Sequence, residues 1–196
     1  MIRLVELGGV GAARRDVVSQ ATGRTLEVGA GMGHALPHYP SEVSELILTE
    51  PDPWMLRRLE RRVAARGERA RVVRAAPEQL PVADASIDSV VCNLVLCTAL
   101  DPAGALGEIA RVLRPGGHLL FVEHVRADSA GWARWQERAR AAWSAFACGC
   151  QLTPRPWRPS RPTLEASPLE VVDVKRGRVR TVPLVHSIIW GRAIRP

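Results

Sequence analysis

Three glycines at alternate positions, Gly29, Gly31 and Gly33, follow a short apolar segment at residues 25–28 and constrain the fold more than any other part of the sequence. An apolar segment of this length predicts a buried strand. Glycine lets the backbone turn tightly and lets a ligand approach the peptide groups closely. A strand that runs into such a turn is typical of nucleotide-binding sites in α/β proteins. An ordinary glycine-rich turn between a strand and a helix is the alternative interpretation.

The glycine spacing distinguishes between two kinds of cofactor. A dinucleotide-binding turn has the pattern G-x-G-x-x-G, whereas here the third glycine comes one residue early and Glu27 lies two residues before the first glycine. S-adenosylmethionine (SAM) suits this pattern better, because its α-amino group is a cation that an acidic side chain attracts and because it has no pyrophosphate. The turn therefore favours SAM over a dinucleotide.

Strand and helix patterns alternate along the rest of the chain. Apolar segments predict further strands at residues 43–48, 70–74, 85–93, 119–125, 169–175 and 184–194. Helices are expected near residues 12–21, from Pro53 onward, at 101–113 and at 129–147. This alternation predicts an α/β fold with an open, mostly parallel sheet of seven strands and helices on both faces. The short connection between the last two strands predicts a C-terminal antiparallel hairpin.

Polar side chains stand at the predicted carboxyl ends of several strands. Glu50 ends the second strand about 20 residues beyond the glycine turn, where a carboxylate can accept hydrogen bonds from both hydroxyls of a ribose. The alternative is that Glu50 or Asp52 caps the next helix, and Asp52 fits the cap better because proline follows it. Later strand ends supply Glu78, Asn93, Glu123 and His124. Because ligands bind at this edge of such sheets, these side chains are expected to converge on one site.

Length and composition predict one globular domain over residues 1–196, since the chain is 46% hydrophobic and long enough to bury a core. Residues 1–24 are expected to form an N-terminal cover, and residues 126–168 an acceptor-side helix and a Pro-rich loop at 154–162. No segment approaches the ~18 apolar residues of a membrane span. Two charges also lie where a signal peptide would be apolar. The sequence therefore predicts a cytoplasmic protein without a membrane span.

The net charge of +7 and the arginines at residues 57–74 raise nucleic acid as a partner. Many of these arginines alternate with apolar residues, as on the solvated face of an amphipathic helix. The chain contains one lysine, Lys175, against many arginines, so the excess follows from a general preference for arginine. Nucleic acid is therefore not expected as a partner. A basic patch that steers an anionic ligand is the alternative interpretation.

The cysteines do not follow a metal-binding pattern. Cys92, Cys97, Cys148 and Cys150 form no C-x-x-C pair, so no metal is expected. The first two fit small buried residues, whereas the last two lie in a loop-like stretch where a thiol is open to reaction.

Six segments carry a resemblance to a known family: residues 26–33, 37–40, 50–53, 94–97, 112–117 and 123–125. Over residues 14–126 the chain resembles the class I SAM-dependent methyltransferases of ubiquinone and menaquinone biosynthesis. Within that superfamily it is most similar to the methyltransferase-like thiol S-methyltransferases, whose Gly-Cys-x-Leu-Thr segment looks like residues 149–153. The resemblance implies the Rossmann-like class I methyltransferase fold.

The resemblance also implies a set of cofactor contacts. They are Glu27, Gly29, Ala30, Gly31, Gly33, Glu50, Pro51, Met55, Ala76, Pro77, Glu78 and Asn93. Glu27 and the glycines would surround the methionine part of SAM, Glu50 would bind the ribose, and Pro51 would border the adenine. The family normally has an aspartate and then a free backbone N–H at the end of the third strand, where this chain has Ala76 and Pro77. Because proline has no N–H, Glu78 is the candidate replacement.

The activity implied by the resemblance is methyl transfer from SAM to a small-molecule acceptor, with S-adenosylhomocysteine as product. A thiol is the best candidate acceptor, because its pKa of ~8.5 leaves appreciable thiolate near neutral pH when the surroundings are positive. An oxygen, nitrogen or carbon atom of a small metabolite or quinone is the alternative. An oxygen acceptor would favour a general base, for which His124 is the first candidate. A purely structural histidine is the other interpretation of His124.

Three further side chains are candidates for lining the acceptor pocket: His38, Glu123 and Cys150. His34 is another candidate base. A third hypothesis is a SAM-binding protein that no longer catalyses and serves as a partner subunit, which the Ala76–Pro77 departure motivates. Neither the acceptor nor the oligomeric state follows from the sequence.

Overall fold

Seven strands form one sheet in the computed structural model, which describes residues 9–125, 129–146, 167–179 and 187–196. The strands are β1 (Gly23–Val28), β2 (Val43–Thr49), β3 (Ala70–Val73), β4 (Ile87–Asn93), β5 (Leu113–His124), β6 (Glu170–Arg178) and β7 (Ser187–Ile194). Their order is β3-β2-β1-β4-β5-β7-β6. The first five are parallel, and β7 pairs antiparallel with both β5 and β6. The predicted mostly parallel sheet with a C-terminal hairpin is confirmed.

Helices cover both faces of this sheet. They are α1 (Gly11–Val18), α2 (Pro53–Arg66), α3 (Pro102–Val112) and α4 (Ala130–Phe146), and a 3₁₀ turn spans Leu36–His38. Because side chains alternate along a strand, Leu120 and Val122 pack against α1 whereas Leu119 and Phe121 pack against α3. Helix α2 lies on the same face as α1, where its Leu59 meets β2. The core is therefore divided into two apolar layers by the sheet.

The helix starts follow the residues that the sequence indicated. Asp52 caps α2 by accepting hydrogen bonds from the N–H groups of Trp54 and Met55, at 2.9 and 2.8 Å. Asp101 caps α3 through the N–H of Ala103. Each cap is followed by a proline, whose missing N–H is not needed in the first helical turn.

Strand β5 begins six residues earlier than predicted, directly after α3. Leu113 pairs with Ile87, the register then shifts, and His118 pairs with Ser89. The intervening proline and glycines at 115–117 are therefore accommodated as an irregularity within the strand span and do not separate the strand from the helix. Strand β7 is described only from Ser187, so the predicted start at residue 184 lies outside the described residues.

Other predictions also fall outside the described residues. They are the first part of the N-terminal cover, the Pro-rich loop at 154–162, and the thiols of Cys148 and Cys150. Within the described ranges, no helix combines the length and the apolarity needed to cross a bilayer.

We expect Asp16→Ala to lower the free energy of unfolding by about 1 kcal/mol, because Asp16 joins α1 to the C-terminal hairpin. Its Oδ2 accepts hydrogen bonds from Lys175 Nζ on β6 and Trp190 Nε1 on β7, both at 2.8 Å. Urea unfolding at pH 7 measures the change. Glu45→Ala is the control, since it removes only an exposed ion pair with Arg24 and should cost less than about 0.5 kcal/mol. Equal losses in both variants would show that the Asp16 contacts add nothing specific.

Candidate cofactor-binding site

The glycine turn presents its backbone to open space at the carboxyl edge of the sheet. Gly31 has a φ of +58°, in the left-handed region, and a Cβ placed on it would meet no atom within 4 Å. The Gly31 N–H donates a 2.8 Å hydrogen bond to Glu50 Oε2. A Cβ on Gly29 would lie only 2.9 Å from Val95 Cγ2, so this glycine is needed for close packing. Bare peptide at Gly31 beside open space is the arrangement that a closely bound cofactor needs.

Glu50 joins the glycine turn to the start of α2. Its Oε1 accepts a hydrogen bond from the N–H of Asp52 at 2.9 Å, while Oε2 holds Gly31. Burial raises the pKa of Glu50, and these two N–H groups counteract the rise. Each carboxylate oxygen has a second lone pair, so the side chain retains acceptor capacity for hydroxyl groups of a ligand. The cap is Asp52, which leaves Glu50 at the predicted ribose position.

Glu27 is buried beneath this turn, on the α1 face of the sheet. Tyr39 Oη donates a 2.8 Å hydrogen bond to Glu27 Oε2, and Asn93 Nδ2 lies 3.4 Å from Glu27 Oε1. Burial raises the pKa of Glu27 to about 7, although both contacts and the nearby charge of Arg14 favour the carboxylate. A cationic group bound beside Glu27 would offset much of that burial penalty.

Asn93 adds a second hydrogen-bond acceptor beside the Glu27 carboxylate. Its Oδ1 is buried and accepts no hydrogen bond from any of the described residues. A buried acceptor without a donor costs free energy unless a water or a ligand supplies the donor. Together, Asn93 Oδ1 and the Glu27 carboxylate fit the protonated amino group at the methionine end of SAM.

Two residues near Glu27 were not identified as functional from the sequence. Tyr39 lies within one of the segments that carry the family resemblance, but its hydrogen bond to Glu27 depends on the fold. Arg14 is only 5% exposed although it belongs to an arginine-rich chain, and its charge lowers the pKa of Glu27. A signal was present in the helical spacing, because Arg14 lies three and four residues before the buried Val17 and Val18 and so on the apolar face of α1, whereas the adjacent Arg15 is exposed.

The two neighbouring residues at the end of β5 point to opposite faces of the sheet. His124 shares the α1 face with Asn93 and Glu27 and is 7% exposed. Glu123 lies on the other face, where it accepts hydrogen bonds from the N–H groups of residues 95, 96 and 97. The structure therefore brings His124 to the cofactor side and gives Glu123 a contact with the loop after β4. Contact of either residue with an acceptor stays a prediction.

The predicted adenine side is built from the ends of β2 and β3. Arg74 Nε donates a 3.1 Å hydrogen bond to the Pro51 carbonyl, which brings the two strand ends together. Ala76 is exposed and Pro77 is buried. Glu78 Oε1 accepts the N–H of Asp101 at 3.1 Å, so its carboxylate is directed to the start of α3. The proposed contacts of these residues, and of Met55, with adenine stay predictions.

The remaining candidates are more scattered. His38 ends the 3₁₀ turn and His34 precedes it, and both are partly buried. Cys92 and Cys97 are buried thiols, as expected, and burial raises the pKa of Cys92 well above its usual range. Among the described residues, no group of three or more His, Cys, Asp or Glu side chains is placed to hold a metal ion.

Residues 26–121 match the family model described as "Methyltransferase domain". The chain carries a methyltransferase domain. The matched range runs from β1 into β5, so it contains the glycine turn, Glu50 and the β4 end. The resemblance inferred from the short motifs is confirmed.

Relatives of this methyltransferase domain include two human proteins. The chain is 39% identical to the thiol S-methyltransferase TMT1A of Homo sapiens over 137 residues, which cover 68% of this chain and 56% of the relative. It is 36% identical to TMT1B of Homo sapiens over 157 residues, which cover 74% of this chain and 64% of the relative. The chain thus spans less than two thirds of the length of these relatives.

The fold of the methyltransferase domain is also found among solved structures. The YcgJ protein of Bacillus subtilis superposes with a TM-score of 0.72 at 17% identity, covering 95% of this chain and 97% of that one. A likeness at this identity shows the fold, and it agrees with the seven-stranded sheet described above.

Proposed function

We propose that the protein transfers a methyl group from SAM to a small-molecule acceptor and that the acceptor atom is the sulfur of a thiol. The observation that carries the cofactor part is the side chain of Asn93: its Nδ2 donates to Glu27, whereas its buried Oδ1 accepts no hydrogen bond from the described residues. The backbone of Gly31, four residues after Glu27, faces open space. Buried acceptors beside bare peptide suit a ligand with a cationic amino group. The relatives named thiol S-methyltransferases support the acceptor part.

Different residues serve the different parts of the cofactor in this proposal. Glu27 and Asn93 receive the amino group, the turn through Gly29, Ala30, Gly31 and Gly33 forms the floor, and Glu50 receives the ribose hydroxyls. The adenine is bordered by Pro51, Met55, Ala76, Pro77 and Glu78. When bound, SAM supplies a methyl group on a positively charged sulfur. No metal is needed for this chemistry.

The protein's task at the acceptor side is to hold the nucleophile in line with the methyl group and to keep water out. A thiolate needs no general base in the transfer, because a thiol with a pKa of ~8.5 loses its proton readily in positive surroundings. For an acceptor that still carries its proton, His124 is the side chain we assign to remove it, because it lies on the same face of the sheet as Glu27. An oxygen acceptor would depend on His124 more strongly.

Two broader expectations accompany the proposal. The chain would act as one domain over residues 1–196, with residues 1–24 and 126–168 enclosing the acceptor. It would work in the cytoplasm on a small molecule.

The proposal is tested in two steps with the purified chain. Calorimetric titration with SAM and S-adenosylhomocysteine should show binding of both at one site per chain. Incubation with methyl-labelled SAM and a panel of small thiols, phenols and amines should then label thiols. If phenols or amines are labelled and thiols are not, the acceptor is not a thiol. If neither SAM nor S-adenosylhomocysteine binds, the whole proposal is wrong.

A further inference from the structure

We infer that Glu123 is a positioning residue that shapes the cofactor site indirectly, by holding the loop after β4. The loop, defined here as residues 94–97, connects the end of β4 to the segment before α3. The inference rests on the proposed function, because it concerns binding at that same site.

The first observation is the number of hydrogen bonds that one carboxylate accepts. Glu123 Oε1 accepts the N–H groups of Val95 and Leu96, both at 2.9 Å, and Oε2 accepts the N–H of Cys97 at 3.1 Å. The side chain is 1% exposed, so water does not compete for these donors. The Val95 carbonyl accepts the N–H of Ala99, which makes this segment a single helical turn. Glu123 therefore caps the turn as an N-cap carboxylate does, but from a different strand.

The second observation is backbone strain at the start of the loop. Leu94 has a φ of +61°, a left-handed conformation that a leucine adopts only when its surroundings impose it. The Leu94 N–H donates a 2.7 Å hydrogen bond to the Val122 carbonyl. The next residue of β5, Glu123, holds the three N–H groups that follow Leu94. Two consecutive residues of β5 thus fix the backbone on both sides of the strained residue.

The third observation connects the loop to the glycine turn. Val95 Cγ2 is the atom that a Cβ on Gly29 would meet at 2.9 Å, so the Val95 side chain lies directly against the turn. Val95 is also one of the residues whose N–H Glu123 holds. Glu123 therefore sets the position of Val95, and Val95 supports the turn that forms the floor of the cofactor site.

The chemistry of the contact requires a carboxylate of this length. A glutamine has one acceptor oxygen, and its amide N–H₂ would face the Cys97 N–H, donor against donor. An aspartate is one methylene shorter and would not reach all three donors. Replacing Glu123 by glutamine should therefore loosen the loop while keeping the volume of the side chain.

The decisive measurement is the dissociation constant for S-adenosylhomocysteine, by calorimetry at pH 7.5, in three variants. Glu123→Gln should weaken binding about tenfold or more. Asp88→Asn is the matched control, because Asp88 also holds a backbone N–H, that of Arg24, but at the amino edge of the sheet. It should lose stability and keep its affinity within about twofold. In the double variant Glu123→Gln with Leu94→Asn, affinity should recover in part, because asparagine tolerates the left-handed conformation.

Steady-state kinetics add a second readout. For Glu123→Gln the KM for SAM should rise more than kcat falls, since a positioning residue acts here on cofactor binding. Wild-type affinity in Glu123→Gln would overturn the inference and leave the proposed function intact. If the wild-type chain itself binds no S-adenosylhomocysteine, the proposed function fails and the inference fails with it.

A variant that keeps Glu123 covers the case in which Glu123→Gln does not fold. Val95→Ala removes the side chain that lies against Gly29 and leaves the hydrogen bonds of the loop in place. It should weaken S-adenosylhomocysteine binding about threefold or more while the chain remains folded by circular dichroism. Unchanged affinity in Val95→Ala would show that the loop does not support the glycine turn, and would overturn the inference.

Discussion

Glu27→Gln is expected to stabilise the free protein at pH 8 and at the same time to weaken cofactor binding. The reason for the stabilisation is the burial of Glu27, which raises its pKa from 4.5 to about 7. At pH 8 the folded protein contains a buried carboxylate, and the shift corresponds to a penalty on the order of 3 kcal/mol. Glutamine keeps the shape and has no charge. The free energy of unfolding should therefore rise by about 1–3 kcal/mol, since part of the gain is lost in less favourable hydrogen bonds.

The contribution of Glu27 to the free energy of unfolding depends on pH. Below pH 4.5 the carboxyl group is protonated in both the folded and the unfolded chain, so it contributes no difference. Between pH 4.5 and about 7 the folded chain keeps the proton and the unfolded chain loses it, so stability falls as the pH rises. Above about 7 the full penalty is present. The advantage of Glu27→Gln should appear through this window and be absent at pH 4.

Cofactor binding should change in the opposite direction. Glu27 as a carboxylate attracts the amino group of S-adenosylhomocysteine, so Glu27→Gln should bind it at least about tenfold more weakly at pH 8. Affinity of the wild-type chain should fall as the pH drops below about 7, because binding then requires loss of the proton. The variant should show a weaker dependence on pH, because Glu123, whose pKa burial also raises to about 7, still titrates in this range. Equal affinities at pH 8 would assign Glu27 a structural role only.

Urea unfolding between pH 4 and pH 8 and calorimetry at the same pH values measure both effects. Burial also raises the pKa of Glu123 to about 7, so both Glu27 and Glu123 contribute to the pH dependence of wild-type stability. The difference in unfolding free energy between the wild type and Glu27→Gln gives the contribution of Glu27. If Glu27→Gln is less stable than the wild type at pH 8, then the contacts of Glu27 do offset the cost of burying its charge, and the prediction is wrong.

Gly31→Ala is expected to abolish most cofactor binding with only a modest loss of stability. The added Cβ meets no protein atom within 4 Å, so it enters the open space that we assign to the cofactor. The left-handed backbone at Gly31 makes any L-residue unfavourable there by about 1 kcal/mol. Displacement of a ligand that lies against the peptide should weaken S-adenosylhomocysteine binding about a hundredfold or more.

Gly67→Ala is the matched control for Gly31→Ala. Gly67 ends α2, has a φ of +64°, and its added Cβ also meets nothing within 4 Å. The two variants should therefore lose similar stability by thermal unfolding, whereas calorimetry should show wild-type affinity in Gly67→Ala. Similar affinities in the two variants would mean that the cofactor does not lie over Gly31.

The strand pattern was predictable because parallel strands buried on both faces are continuous apolar segments. Residues 43–48 and 85–93 were placed to within two residues at each end, and the caps of α2 and α3 followed from Asp and Pro at their starts. The start of β5 was placed wrongly. Proline and glycine at 115–117 normally end an element, and only the pairing of Leu113 with Ile87 across a register shift shows that the strand has already begun.

Within the candidate site, local pattern placed Glu27, the glycine turn and Glu50, because each lies at a fixed distance from a strand end. Local pattern also identified Asp52, and not Glu50, as the helix cap, since a cap position is defined by the residues next to it. It did not identify Tyr39 and Arg14 as neighbours of Glu27, because those contacts join segments that only the folded chain brings together.

The sequence by itself determined the type of fold, and it predicts the edge of the sheet at which a ligand binds and the kind of cofactor, because periodicity, glycine spacing and acidic residues at strand ends are local properties. The tertiary structure alone decided which charges are buried and what they hold. Its position at a strand end predicts a contact of Glu123 with the acceptor, and only the folded chain shows that its carboxylate accepts three N–H groups from a loop 26–28 residues away in the sequence. Such a contact depends on the pairing of β4 with β5, and no local pattern encodes the distance between a side chain on one strand and the backbone of the loop that follows another.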